Sequence, residues 1–142
     1  MKITALIFFF IAMLPQSPIL QHRWNQRVVL VFSGEGSTLN QEQIAALLPG
    51  TPEWNDRKLA LYDIQGEGGI DGDGNYISVE HSRQLRKGYG ISLGEFVVIL
   101  VGLDGKEKLR STSPVNRQEI FNLIDTMPMR KTEMEGQKQH DP

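Results

Sequence analysis

Four stretches of this chain are dense in apolar and β-branched residues, and segments with helical spacing lie between them. Arg27 to Phe32 reads R-V-V-L-V-F and stops at the loop Ser33-Gly34-Glu35-Gly36. A run so uniformly apolar fits a strand buried on both faces. Thr38 with Gln41 has the spacing of a capping box, and Ile44, Leu47 and Leu48 then form a helical stripe that stops at Pro49-Gly50. Thr51-Pro52-Glu53 puts a proline at the first position of a short helical turn through Trp54. Lys58 to Ile64 (K-L-A-L-Y-D-I) predicts a second strand, and Gln65 to Asn75, with five glycines, predicts a flexible loop. Ser78 caps a predicted helix from Val79 to Lys87 that ends at Gly88. Phe96 to Leu103 (F-V-V-I-L-V-G-L) is the strongest strand signal, and Asp104-Gly105 turns it back onto Lys106 to Ser111 as an antiparallel partner. Ser113-Pro114 opens a last helix with Val115, Ile120, Phe121, Ile124 and Met127 among its apolar positions. Trp24 and Trp54 read as packing at the core edge.

The order is β-α-β-α-β-β-α, with no internal repeat. A strand–helix–strand unit crosses over right-handed to give a parallel pair, and the closing hairpin adds an antiparallel strand. The expectation is an α/β domain of three layers around a central mixed four-stranded sheet. It would occupy residues 23–130, with 131–142 as a polar, flexible tail.

The first twenty residues stand apart. Lys2 precedes the apolar run Ile3 to Leu14, which as a helix would span about 18 Å, short of the roughly 30 Å hydrocarbon core of a bilayer. Pro15 and Pro18 discourage its extension. Residues 1–20 therefore read as a signal peptide or N-terminal hydrophobic segment, which places the mature domain outside the cytoplasm, periplasmic or secreted. No stable membrane span is expected once that segment is removed.

Totals narrow the chemistry. The 142 residues contain no cysteine, which removes thiolate catalysis, disulfides and cysteine-ligated metals together. His22, His81 and His140 are scattered without paired spacing, so neither a metal site nor a cofactor is expected. Asp71-Gly72-Asp73-Gly74-Asn75 is superficially similar to a calcium loop, but an EF-hand needs glycine at Tyr76 and a carboxylate at Ser82. A net charge of −2 gives no nucleic-acid footprint.

Tyr89-Gly90-Ile91, Phe96 to Leu100 and Asp104-Gly105-Lys106 resemble the second half of a thioredoxin, and the order of elements is the thioredoxin-like one. In that family the first strand ends in a Cys-x-x-Cys loop, where this chain has Ser33-Gly34-Glu35-Gly36-Ser37. The cis-proline before the third strand is also missing, with Leu93-Gly94-Glu95 in its region. Val28 to Phe32, Leu103-Asp104-Gly105, Lys108-Leu109-Arg110 and above all Ile124-Asp125-Thr126-Met127-Pro128-Met129-Arg130 resemble the bacterial domain of unknown function (DUF) 4174. That resemblance, over roughly Arg27 to Met134, implies a small, exported, thioredoxin-like protein with distant animal relatives in extracellular-matrix and sushi-repeat-containing proteins. It implies no catalytic residue.

Two places could carry function. The loop Ser33 to Thr38 precedes a helix, where free N–H groups and the helix dipole can hold an anion, but it lacks the lysine of a P-loop and Glu35 would repel phosphate. A hydrolase-like alternative would use the loop Ser33 to Thr38 at the end of the first strand, with Glu35 as base. Lys106, Lys108 and Arg110 alternate along one predicted strand and so share a face, with Arg130 nearby. Such a face could bind carboxylate or phosphate groups on a protein partner or a small anionic ligand. Lysines on an edge strand also simply block edge pairing. The favoured reading is a non-catalytic binding module.

Overall fold

The structure, a computed structural model, describes residues 17–140. The apolar run Ile3 to Leu14 lies outside the described residues. Strand β1 (Arg27–Ser33) is buried at all seven positions and pairs parallel with β2 (Leu59–Gln65) on one side. On its other side it pairs antiparallel with β5 (Val97–Val101), which continues into β6 (Glu107–Ser111). Those are the four expected strands, and the sheet is mixed.

Among the described residues the sheet has six strands rather than four, in the order β4 (Tyr76–Ile77), β3 (Gly68–Asp71), β2, β1, β5, β6. The supposed flexible loop folds into a hairpin, β3 and β4, laid along β2. Its glycines hide the strand signal because they carry no side chain to pack. Gly69 is required where it sits, since a Cβ there would lie 2.6 Å from the Asp63 carbonyl oxygen. Asp71 closes the turn by accepting from the Asp73 and Asn75 N–H groups at 3.0 and 2.9 Å, so its carboxylate serves the hairpin.

Helices α1 (Thr38–Leu47), α2 (Pro52–Asp56) and α4 (Arg117–Asp125) cover one face. Their Leu47, Trp54, Ile120, Phe121 and Ile124 pack on Val29, Val31, Leu61, Val98 and Leu100. Helix α3 (Val79–Tyr89) covers the other face, where Leu85 meets Val28, Leu30, Phe32 and Ile99. Val-rich alternation on β1 and β5 supplies both cores, and burial of some twenty apolar side chains is the main stabilising term.

Local differences have local causes. The cap of α1 is Ser37, which accepts from Asn40 N–H, rather than Thr38. Leu48 leaves the apolar stripe as an exposed, left-handed residue ending α1 (φ 47°). Helix α3 runs past Gly88 to a left-handed Gly90. Trp54 is buried, whereas Trp24 is exposed under the Arg23 guanidinium. The single last helix is two: Pro128 cannot continue α4, and it starts α5 (Pro128–Lys138) instead. The segment expected to fray is thus largely helical, tied back by Gln137, which donates to Asp56 at 2.7 Å.

Candidate functional site

The two ends of β1 hold the polar groups worth testing as sites. At its C-terminal end the chain leaves the sheet through Ser33 to Ser37 and enters α1. Ser33 is fully buried, and its Oγ has no hydrogen-bond partner among the described residues. Glu35 is exposed and forms no hydrogen bond or ion pair among the described residues. It stands at the rim of an open groove of about 470 Å3 with Asp63, Gln65, Glu67, Ile70 and Tyr76. Asp63 is already engaged, accepting from Asn40 Nδ2 at 2.6 Å and Gln65 Nε2 at 3.0 Å.

Beneath this loop lies Arg86 of α3, a residue the sequence reading passed over. Its guanidinium donates to three backbone carbonyls: Ser33 at 2.9 Å, Gly66 at 3.0 Å and Ser92 at 2.9 Å. Burial pushes its pKa below the ordinary guanidinium value, partly offset by Glu95. One side chain thereby fixes β1, the β2–β3 turn and the loop before β5. Among the described residues Ser33 Oγ and Glu35 make no hydrogen bond to each other or to another side chain, and the contacts at this end hold loops together.

At the other end, Arg27 enters the sheet with 1% of its surface exposed. Its Nη1 donates to the Arg57 carbonyl at 3.0 Å and faces both Glu133 oxygens at 3.3 Å. Arg130, expected to help bind a partner, is 2% exposed and committed internally. It meets Asp56 at 2.6 Å, Asp125 at 3.1 Å, Glu133 at 3.4 Å and the Asp56 carbonyl at 3.0 Å. Burial works against the Arg130 charge, but these carboxylates outweigh it and raise its pKa. The Arg130 hydrogen bond chiefly holds Asp56 below the usual carboxylate range. Burial opposes ionisation of Asp125, yet Arg57 and Arg130 keep it low as well. Arg130 is therefore not on the β6 face. Starting a new helix at Pro128 turns it inward.

The β6 face itself is partly neutralised. Arg110 pairs with Glu107 at 2.7 Å and donates to the Tyr89 carbonyl at 3.0 Å. Lys108 pairs with Asp104 at 2.9 Å. Leu109 opposes Leu100 while Glu107 opposes Val101, so Lys108 is the extra residue of a β-bulge. The bulge lays its stem over Gly102, where a Cβ would lie 2.6 Å from Lys108 Cε. Lys108 thus leaves the expected stripe. Among the described residues no group of three His, Asp or Glu could hold a metal ion, and no helix is long and apolar enough to cross a membrane.

A family model described as "Domain of unknown function (DUF4174)" matches residues 18–133. The chain belongs to the DUF4174 family. Two curated relatives align with part of it. Coiled-coil domain-containing protein 80 of Danio rerio is 42% identical over 55 residues, 39% of this chain and 6% of that protein. Sushi repeat-containing protein SRPX of Rattus norvegicus is 47% identical over 51 residues, 36% of this chain and 11% of that protein. The DUF4174 chain therefore spans a small part of each.

Among solved structures, reduced 2-Cys peroxiredoxin of Plasmodium vivax matches with a TM-score of 0.58 at 15% identity, over 79% of this chain and 83% of that one. The thioredoxin domain of a thiol-disulfide oxidoreductase from Bacteroides vulgatus matches at 0.51 and 15%, over 75% and 81%. These likenesses establish the thioredoxin-like fold. With no cysteine, the DUF4174 chain has no thiol with which to perform redox chemistry.

Proposed function

We propose that this protein is an exported binding module that keeps a thioredoxin-like shell without enzymatic chemistry. The observation that carries this reading is the state of the C-terminal end of β1. The Ser33 hydroxyl is enclosed, the Glu35 carboxylate stands in solvent, and the surrounding Asn40, Asp63 and Arg86 hold loops together. Binding through the β6 side, to a protein or a small anionic ligand, draws support from the exposed Arg110 on that strand and from the exposed Lys106 just before it. Export draws support from Lys2 and the apolar run that follows it, and the protein then works in the periplasm or beyond the cell.

Fusion of residues 1–26 to a reporter that is active only outside the cytoplasm tests location. Reporter activity should vanish when Ile3 to Leu14 are deleted. Retention of the intact fusion in the cytoplasm would end the export reading. Turnover of ester or phosphoester substrates that disappears in Glu35→Gln would end the non-enzymatic one. A partner co-isolated with the full chain should be lost with Arg110→Glu.

A further inference from the structure

A cleft of about 280 Å3 opens at the N-terminal end of β1, lined by Arg27, Leu103, Lys108, Met127, Pro128 and Met129 among others. Three donor sets converge on it. Arg27 is nine-tenths buried and more, and its Nε and Nη2 have no partner among the described residues. Helix α5 starts at the cleft wall with no side-chain cap and no acidic residue in its first turn. The Met129 and Arg130 N–H groups precede the first helical bond, which Lys131 donates to the Met127 carbonyl at 3.0 Å. Lys108 reaches the same place because Gly102 leaves room for its stem and the bulge re-aims it.

The charges nearby do not balance. Among the described residues Arg27, Arg57, Lys58 and Arg130 pair with Asp56, Asp125 and Glu133, four cations with three carboxylates. Lys108 at the mouth is matched by Asp104, which also accepts from Lys106 N–H at 3.0 Å. On the buried side Arg27 has Glu133 as its one carboxylate among the described residues and shares it with Lys58 and Arg130. Leu103, Met127, Pro128 and Met129 meanwhile give the cleft apolar walls, and methionine adapts readily to varied apolar shapes.

We infer that this cleft binds a carboxylate carried on a short apolar chain, the carboxylate lying among Lys108, Arg27 and the start of α5 and the chain lying against Met127 and Met129. The inference rests on the binding-module reading and names its ligand class. A free carboxylic acid and the C-terminus of a peptide ending in an apolar residue share this chemistry.

Titration of the full chain with octanoate, followed through the methionine methyl signals, tests it. Octanoate should saturate and shift Met127 and Met129, and 1-octanol should bind at least about tenfold more weakly. Lys108→Gln and Met129→Trp should each weaken octanoate about tenfold or more while leaving the remaining spectrum folded. Arg27 stays in place, because its removal would empty a fully buried position at the head of β1 and take one of the cations that Glu133 meets. An acetylated dipeptide ending in leucine, compared with its amide, separates the sources: a preference for the peptide acid over octanoate marks a chain terminus, the reverse a free acid. No saturation by any carboxylate, equal binding of octanol, or unchanged affinity in Met129→Trp would overturn the site. Export and partner retention through Arg110 would survive that result, so the two readings fail separately.

Discussion

Both ends of β1 are polar and buried, yet they are satisfied in opposite ways. At Ser33 the neighbouring cation, Arg86, donates to backbone carbonyls and forms no ion pair among the described residues. At Arg27 the contacts run between charged side chains drawn from β1, α2, α4 and α5. The first arrangement stitches loops into fixed positions. The second concentrates charge beside an open cleft. The difference teaches that one central strand can anchor its two ends by different physics, a carbonyl clamp at one and ion pairing at the other. The end that carries the Cys-x-x-Cys loop in a thioredoxin is here held by the Arg86 guanidinium.

Substitutions at the two ends sharpen that contrast. The largest effect is expected from Arg130→Ala, which leaves Asp56, Asp125 and Glu133 without their shared cation and should cost about 3 kcal/mol in chemical denaturation. A loss below about 0.5 kcal/mol would mean that the ion cluster is decorative. Arg86→Met should cost about 2 kcal/mol, because three carbonyls lose a donor, and amide exchange should quicken around Gly66 and Ser92. If Arg86→Met equals Arg130→Ala, the carbonyl clamp matters as much as the ion cluster and the contrast weakens.

Acid should act on one end alone. The folded pKa values of Asp56 and Asp125 are depressed, so their stabilising share is complete above the unfolded value near 4. It fades as pH falls through the lower folded values. Wild-type stability should drop below about pH 4, and Arg130→Ala should flatten that slope. An identical slope in both proteins would place the acid sensitivity elsewhere. The smallest effects belong to the loop. Ser33→Ala removes a buried hydroxyl without a partner and should be neutral or stabilise by up to about 1 kcal/mol, and Glu35→Ala should change thermal stability by less than about 0.5 kcal/mol. A large loss in Ser33→Ala would show that its Oγ is engaged after all.

The sequence made the sheet's centre legible because Val28 to Phe32 of β1 and Val97 to Val101 of β5 are unbroken apolar runs buried on both faces, and β2 is apolar up to Asp63. The β3–β4 hairpin was hidden by Gly68 and Gly69, which pair through the backbone and leave no side-chain pattern. Helix α5 was hidden by Pro128, which reads as a stop and acts here as a start. Buried cations are harder to read, since arginine belongs by default to the surface. Weak signals existed: Arg27 heads an otherwise apolar strand, and Arg86 follows Ser82 and Leu85 on the buried side of α3. Arg130 sat inside the family-like segment, but position in sequence did not reveal that it turns inward.

The enclosure of β1 between β2 and β5 has a practical side. Backbone amides from Val28 to Phe32 lie at the centre of the sheet, with side chains wholly inside. Their deuterium uptake should require the entire domain to open, so it reports total conformational free energy directly. The protein thereby carries an internal gauge, against which any suspected ligand can be ranked by how far it slows that uptake.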